Sequence, residues 1–197
     1  MKITRIISHV LQYDMPEVLG YSQQYYDKRS AHLVEVQTDE GVTGWGECFG
    51  PGNVAIANKG IVEKVIQPLV LGMDPMDRDV IWHKVYNLLR DHGQKGMPMQ
   101  SLSGVDIALW DIAAKRQNVP LRTLLSPSAR SSIDSYNTCS GMNYVNAESR
   151  QSSSNWGFSG NKRPPGDFED LWAFLNEPAR LARELVDAGF TGMKVWP

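Results

Sequence analysis

The first fifty residues alternate. Lys2 to Val10 read as a strand. Further on, His32, Val34, Val36 and Thr38 share one face of an extended segment, with Leu33, Glu35 and Gln37 on the other. Asp39-Glu40-Gly41 supplies a turn, and Val42 to Glu47 return as the second arm of a hairpin. Between the first two strands, Asp14 to Ser30 (DMPEVLGYSQQYYDKRS) reads as a polar, tyrosine-bearing loop. The pattern predicts a small antiparallel sheet of three strands.

From residue 53 the period lengthens to that of a helix. Asn53 to Leu71 carries Val54, Ile61, Val65, Ile66 and Leu69 at helical spacing, with Asn53 as N-cap and Gly72 as the stop. Asp77 or Asp79 opens a second helix that runs through Ile81, Trp82, Val85, Leu88 and Leu89 to Arg90. A glycine-rich link, Asp91 to Met99, leads to a third helix over Ser103 to Gln117. Its apolar side is Val105, Ala108, Leu109 and Ile112, and Ser103 with Asp106 resembles a capping box. Leu121 to Leu125 is one more helical turn. Trp82, Tyr86, Trp110 and Trp172 sit at helical spacing among apolar neighbours and read as core.

After Pro127 the character changes. Ser132 to Thr138 predicts a strand, and a serine-, glycine- and proline-rich stretch follows from Asn146 to Asp167. Helical pattern resumes at Phe168 and restarts at Pro178, with Leu181, Leu185 and Val186 apolar and Gly189 as the end. Thr191 to Trp196 then reads as a strand. Strand, helix, strand is a βαβ unit, whose parallel strands need neighbours on both edges. The chain therefore divides into an α+β domain over 1–126 and an unfinished second domain over 127–197.

Composition narrows the partners. The chain has 197 residues, of which 42% are hydrophobic and 21% charged, and its net charge is −2. No basic stripe is present to hold phosphates, so nucleic acid is not an expected partner. No apolar run approaches the roughly 20 residues of a membrane span, and the start lacks the apolar centre of a signal peptide. Cys48 and Cys139 lie far apart without a CxxC pair, which points to reduced thiols in a cytoplasmic protein. His9, His32, His83 and His92 show no metal-ligand spacing.

Four segments, in order, resemble one family. They are the hairpin Asp39 to Glu47 (DEGVTGWGE), the helix Ser103 to Lys115 (SGVDIALWDIAAK), the turn Pro120 to Leu125 (PLRTLL), and Gly189 to Trp196 (GFTGMKVW). They are similar to the mandelate racemase/muconate lactonizing branch of the enolase superfamily, and particularly to its sugar-acid dehydratase-like members. The resemblance implies an α+β capping domain, a three-stranded antiparallel sheet plus helices, followed by the start of a modified TIM (β/α) barrel. It also implies magnesium held by carboxylates on the third, fourth and fifth barrel strands, and a homo-oligomer when the enzyme is intact. The metal would steady the enediolate formed when a base removes the proton α to a carboxylate. A TIM barrel takes roughly 250 residues, so a chain ending at Pro197 is expected to stop before those ligands and to be inactive alone. Sugar-acid dehydration is the expected reaction of the intact protein, with racemisation or epimerisation as the alternative.

The resemblance also nominates residues. Many relatives place Lys-x-Lys at the end of the second barrel strand. Here the pattern is Lys194-Val195-Trp196, so Lys194 is the candidate catalytic group and Trp196 replaces the usual base. Thr138 and Ser140 follow the first barrel strand, where their hydroxyls would bind a substrate carboxylate or simply complete a turn. Tyr21, Tyr26, Lys28 and Arg29 lie in the segment that closes over the active site in the family, although an ordinary solvated loop would look much the same.

Overall fold

A computed structural model of the chain describes residues 1–21, 24–139 and 170–194, with side chains outside 16–27. It divides into two compact units. One comprises Met1–Asp14 with Lys28–Ala129, the other Met15–Asp27 with Arg130–Pro197.

Three strands, β1 (Ile3–Tyr21), β2 (Gln24–Thr38) and β3 (Thr43–Cys48), form a sheet in the order β1-β2-β3. β2 and β3 are antiparallel, with His32 opposite Cys48, Glu35 opposite Trp45 and Gln37 opposite Thr43. Gly41 takes φ +78° in the turn between them, and the Thr38 hydroxyl donates to Val42 O (2.8 Å) while accepting the Val42 N–H. Within this sheet the sequence pattern is corrected at the segment between the first two strands. The expected loop from Asp14 to Ser30 is instead the continuation of β1 and β2, which are separated by only two residues and so must be antiparallel. Its residues carry no apolar alternation, so a hairpin made by backbone pairing leaves no hydrophobic signature.

Helices cover one face of this sheet. α1 (Val54–Ile61) passes through a π turn (Val62–Ile66) into α2 (Gln67–Val70). Asn53 does stand at the N-cap of α1, but its side chain makes no capping bond. After α2, Gly72 turns the chain at φ +78°. α3 (Arg78–Leu89), α4 (Met97–Gln117) and α5 (Leu121–Leu125) follow. α4 begins two turns earlier than the sequence pattern suggests. Gly96 at φ +67° and Pro98 in the first turn start it, which leaves Ser103 and Asp106 in its interior rather than as a capping box.

α4 lies directly on β3, and three glycines make this possible. A Cβ on Gly46 would sit 2.0 Å from Gly104 O, one on Gly44 2.1 Å from Ala108 O, and one on Gly104 2.3 Å from Cys48 Sγ. The backbones meet where no side chain fits. The seam is then stitched by polar bonds. Asp111 Oδ2 accepts the Trp45 N–H (2.8 Å), and Lys115 Nζ donates both to Asp111 Oδ2 (2.6 Å) and to Thr43 O (2.9 Å). Inside lie Ile3, Ile6, Val34, Val36, Ile66, Ile81, Val85, Leu102, Leu109 and Ile112, all buried. Trp82 and Tyr86 stack on each other at 4.8 Å and are only partly buried, and Trp110 lies under the Arg78 guanidinium at 4.2 Å.

The outer edge of β1 is covered rather than left open. Ile3 exchanges backbone bonds with Met73 O and the Gly72 N–H. Farther along, Gln67 Oε1 accepts the Ile6 N–H (2.6 Å), Glu63 Oε1 accepts the Ser8 N–H (3.3 Å), and Lys59 Nζ donates to Ser8 O (3.2 Å). Side chains of the α1–α2 run thus stand in for a neighbouring strand, which protects the edge from pairing with another chain.

The second unit contains β4 (Tyr136–Asn137), α6 (Asp170–Asn176), α7 (Pro178–Asp187) and β5 (Gly192–Met193). β4 and β5 are parallel, with Tyr136 opposite Gly192 and Asn137 opposite Met193. Of the strand expected over Ser132 to Thr138, only these two residues have a ladder partner among the described residues. Pro178 occupies the first turn of α7 and Gly189 follows its end at φ +89°. Leu181 and Leu185 pack with Cys139, Trp172 and Ala173, whereas Val186, expected on that side, is 69% exposed because it falls one position off the buried stripe.

Candidate functional site

Parallel α/β folds place their chemistry beyond the C-terminal ends of the strands. Thr138 directly follows β4 and Lys194 directly follows β5, and the register sets these two positions side by side. Both are exposed, and the Lys194 N–H donates to Asn137 O at 2.8 Å. An ammonium and a hydroxyl adjacent at strand ends suit a carboxylate, the first by charge and the second by a directed hydrogen bond.

Asn137, which the sequence reading passed over, ties this corner together. Its Oδ1 accepts the Cys139 N–H (2.6 Å), and its Nδ2 donates to Asp170 Oδ2 (3.0 Å) at the first residue of α6. An asparagine closing a strand before a threonine is a recognisable signal for a side-chain turn. Cys139 itself is fully buried at φ +51°, and burial, with Asp170 nearby, pushes its thiol pKa up.

Of the other nominated residues, Tyr21 and Tyr26 belong to the same compact unit as Thr138 and Lys194, and Lys28 and Arg29 to the other. Lys28 of β2 forms an ion pair with Asp14 of β1, and Arg29 is exposed. Tyr21 closes β1 and Tyr26 lies within β2. Ser140, Trp196 and the stretch from Asn146 to Asp167 lie outside the described residues. Among the described residues, no three His, Cys, Asp or Glu side chains group so as to hold a metal ion. The magnesium that the family implies thus finds no ligand set among them. No helix of the described residues is long and apolar enough to cross a membrane.

Titratable groups of the first unit serve its packing. Glu35 accepts from Gln37 and His9, and those bonds hold its carboxyl below the usual range. Burial alone would raise Glu63, but bonds from Lys59 and the Ser8 N–H bring it lower. Cys48 is buried, and its thiol is pushed up to about 12, so it is an inert packing group. His32 is fully buried with neither ring nitrogen hydrogen-bonded, and burial, followed by the positive charge of Lys59, lowers its pKa against a smaller opposing pull from Glu63.

His32 gives a pH prediction. Unfolded, it titrates near 6.5, and in the folded unit it titrates lower. In the window below that value the unfolded chain binds more protons, so stability present at neutral pH falls as the solution is acidified. Glu35 and Glu63 act in a different window, since their contribution fades only as pH drops below the ordinary carboxylate value of 4.5. Urea unfolding at successive pH values should show a loss beginning below neutrality that is absent in His32→Leu. An identical slope in that variant would assign the loss to other groups.

Residues 4–126 match the family described as mandelate racemase/muconate lactonizing enzyme, N-terminal domain. The chain is 39% identical over 138 residues to D-galactarolactone cycloisomerase from Agrobacterium fabrum, covering 70% of this chain and 35% of that enzyme. It is 28% identical over 163 residues to D-galactonate dehydratase from Verminephrobacter eiseniae, covering 83% of this chain and 34% of that one. Among solved structures, an enolase superfamily member from a Polaromonas species superposes with TM-score 0.73 at 28% identity, over 100% of this chain and 44% of its own. The chain thus spans about a third of the length of these curated relatives. With the sheet and helices of the matched segment in the expected order, the chain belongs to the mandelate racemase/muconate lactonizing enzyme family of the enolase superfamily.

Proposed function

We propose that this chain is the N-terminal portion of a magnesium-dependent enzyme that removes the proton α to the carboxylate of a sugar acid and then expels a hydroxyl group, a dehydratase. The observation that carries the reading is the order of parts. A capping domain of this family is followed by two parallel strands whose C-terminal ends set Thr138 and Lys194 side by side. A proton next to a carboxylate is very weakly acidic, so its removal requires fixed positive charge where negative charge develops. In this reading the Lys194 ammonium faces the developing enediolate and the Thr138 hydroxyl donates to the substrate carboxylate. Metal ligands and base belong to strands beyond these two, which suits one-base elimination because tryptophan stands at 196. The D-galactonate dehydratase supports elimination. The D-galactarolactone cycloisomerase, at higher identity, supports a second reading in which the same abstraction leads to lactone rearrangement.

The test is a panel of aldonic and aldaric acids and their lactones, offered with magnesium to the enzyme carried past Pro197. Loss of water from an open-chain acid to give a 2-keto-3-deoxy acid identifies a dehydratase, and conversion of a lactone to an isomer of unchanged mass identifies a cycloisomerase. Neither product from any member would overturn the proposal. The 197-residue chain alone should turn over none of them.

A further inference from the structure

We infer that Asn137 is the positioning residue of this corner, holding Thr138 and Lys194 in register, a role that rests on the site reading above for its functional meaning but not for its structure. Four bonds converge on it. Its carbonyl accepts the Lys194 N–H (2.8 Å) and the Cys139 thiol (3.8 Å), its Oδ1 accepts the Cys139 N–H (2.6 Å), and its Nδ2 reaches Asp170 Oδ2 (3.0 Å). The Oδ1 bond folds the side chain back across the peptide of Thr138, which fixes the backbone from which that hydroxyl projects. The Nδ2 bond anchors the same side chain to the start of α6.

The pair has a direction that can be reversed. Asn137 supplies the donor and Asp170 the charged acceptor, so Asn137→Asp sets two carboxylates against each other, while Asn137→Asp with Asp170→Asn restores one donor and one acceptor at unchanged net charge. In the 197-residue chain, Asn137→Ala should speed amide hydrogen exchange at Cys139 and Lys194 by about tenfold or more, leaving amides of the β2–β3 ladder unchanged. Asn137→Asp, whose carboxylate still accepts the Cys139 N–H but repels Asp170, should speed exchange less, and the double variant should restore protection. In the enzyme carried past Pro197, Asn137→Asp should lower kcat by about tenfold or more and raise KM, with no new pH limb, since a misplaced pair loses geometry rather than a titrating group. The double variant should recover most of that rate.

Unchanged exchange at Cys139 in Asn137→Ala would overturn the inference whatever the enzyme does. Altered exchange with an unchanged kcat in an active enzyme would reduce Asn137 to a structural residue and overturn the positioning role. If the extended enzyme acts on no sugar acid, the functional reading fails instead, and the exchange experiment still decides whether the clamp exists.

Discussion

Gly46→Ala should destabilise the first unit by about 3 kcal/mol or more, and lower its melting temperature by roughly 10 °C. The added methyl would meet Gly104 O at 2.0 Å and Ala108 N at 2.8 Å, both backbone atoms of α4, so no side chain can rotate away. Relief requires α4 to lift from β3, which breaks the Asp111 and Lys115 bonds that stitch the seam. Gly60→Ala is the counterpart. That glycine lies in α1 with nothing within 4 Å of the new atom, so the change should stabilise by about 0.5–1 kcal/mol through helix propensity. Thermal or urea unfolding of both variants checks the pair, and equal effects would mean that the seam is looser than described.

Lys194→Ala in the enzyme carried past Pro197 should cut kcat by about 100-fold, the usual cost of removing an electrostatic group from a reacting centre. Stability should barely change, because Lys194 is an exposed strand-end residue outside the buried core of its unit. Trp196→Phe should leave the pH profile unaltered, since it removes no titrating group. Normal turnover in Lys194→Ala would return that residue to an ordinary solvated lysine.

What could be read before the structure, and what could not, follows from the range of each signal. Strict alternation in Val34, Val36 and their neighbours marks a half-buried strand, and its pairing with β3 follows from the short turn at Gly41. α7 and α5 are bounded by prolines and glycines that act locally. The early start of α4 was masked because Gly96 and Pro98 look like linker residues, although each is also a good helix opener. The amino-acid sequence of the β1–β2 extension shows no apolar alternation to mark it as strand. Least legible were contacts between distant positions. Gly44 and Gly46 stand out in the sequence, but their partners Gly104 and Ala108 lie some sixty residues away, and nothing local announces them. Asn137 was similarly overlooked because its meaning depends on Asp170 and Lys194, which only the fold brings near.

Proton abstraction next to a carboxylate leaves its mark in exchange with solvent. Incubating sugar acids with magnesium and the enzyme carried past Pro197 in deuterated water, and following the α-carbon by proton NMR, registers abstraction whether the intermediate loses water, rearranges or returns. Enzyme-dependent loss of the α-proton signal is expected in at least one sugar acid, slowed by Lys194→Ala. Retention of every α-proton, alongside chemistry at another carbon, would contradict that abstraction.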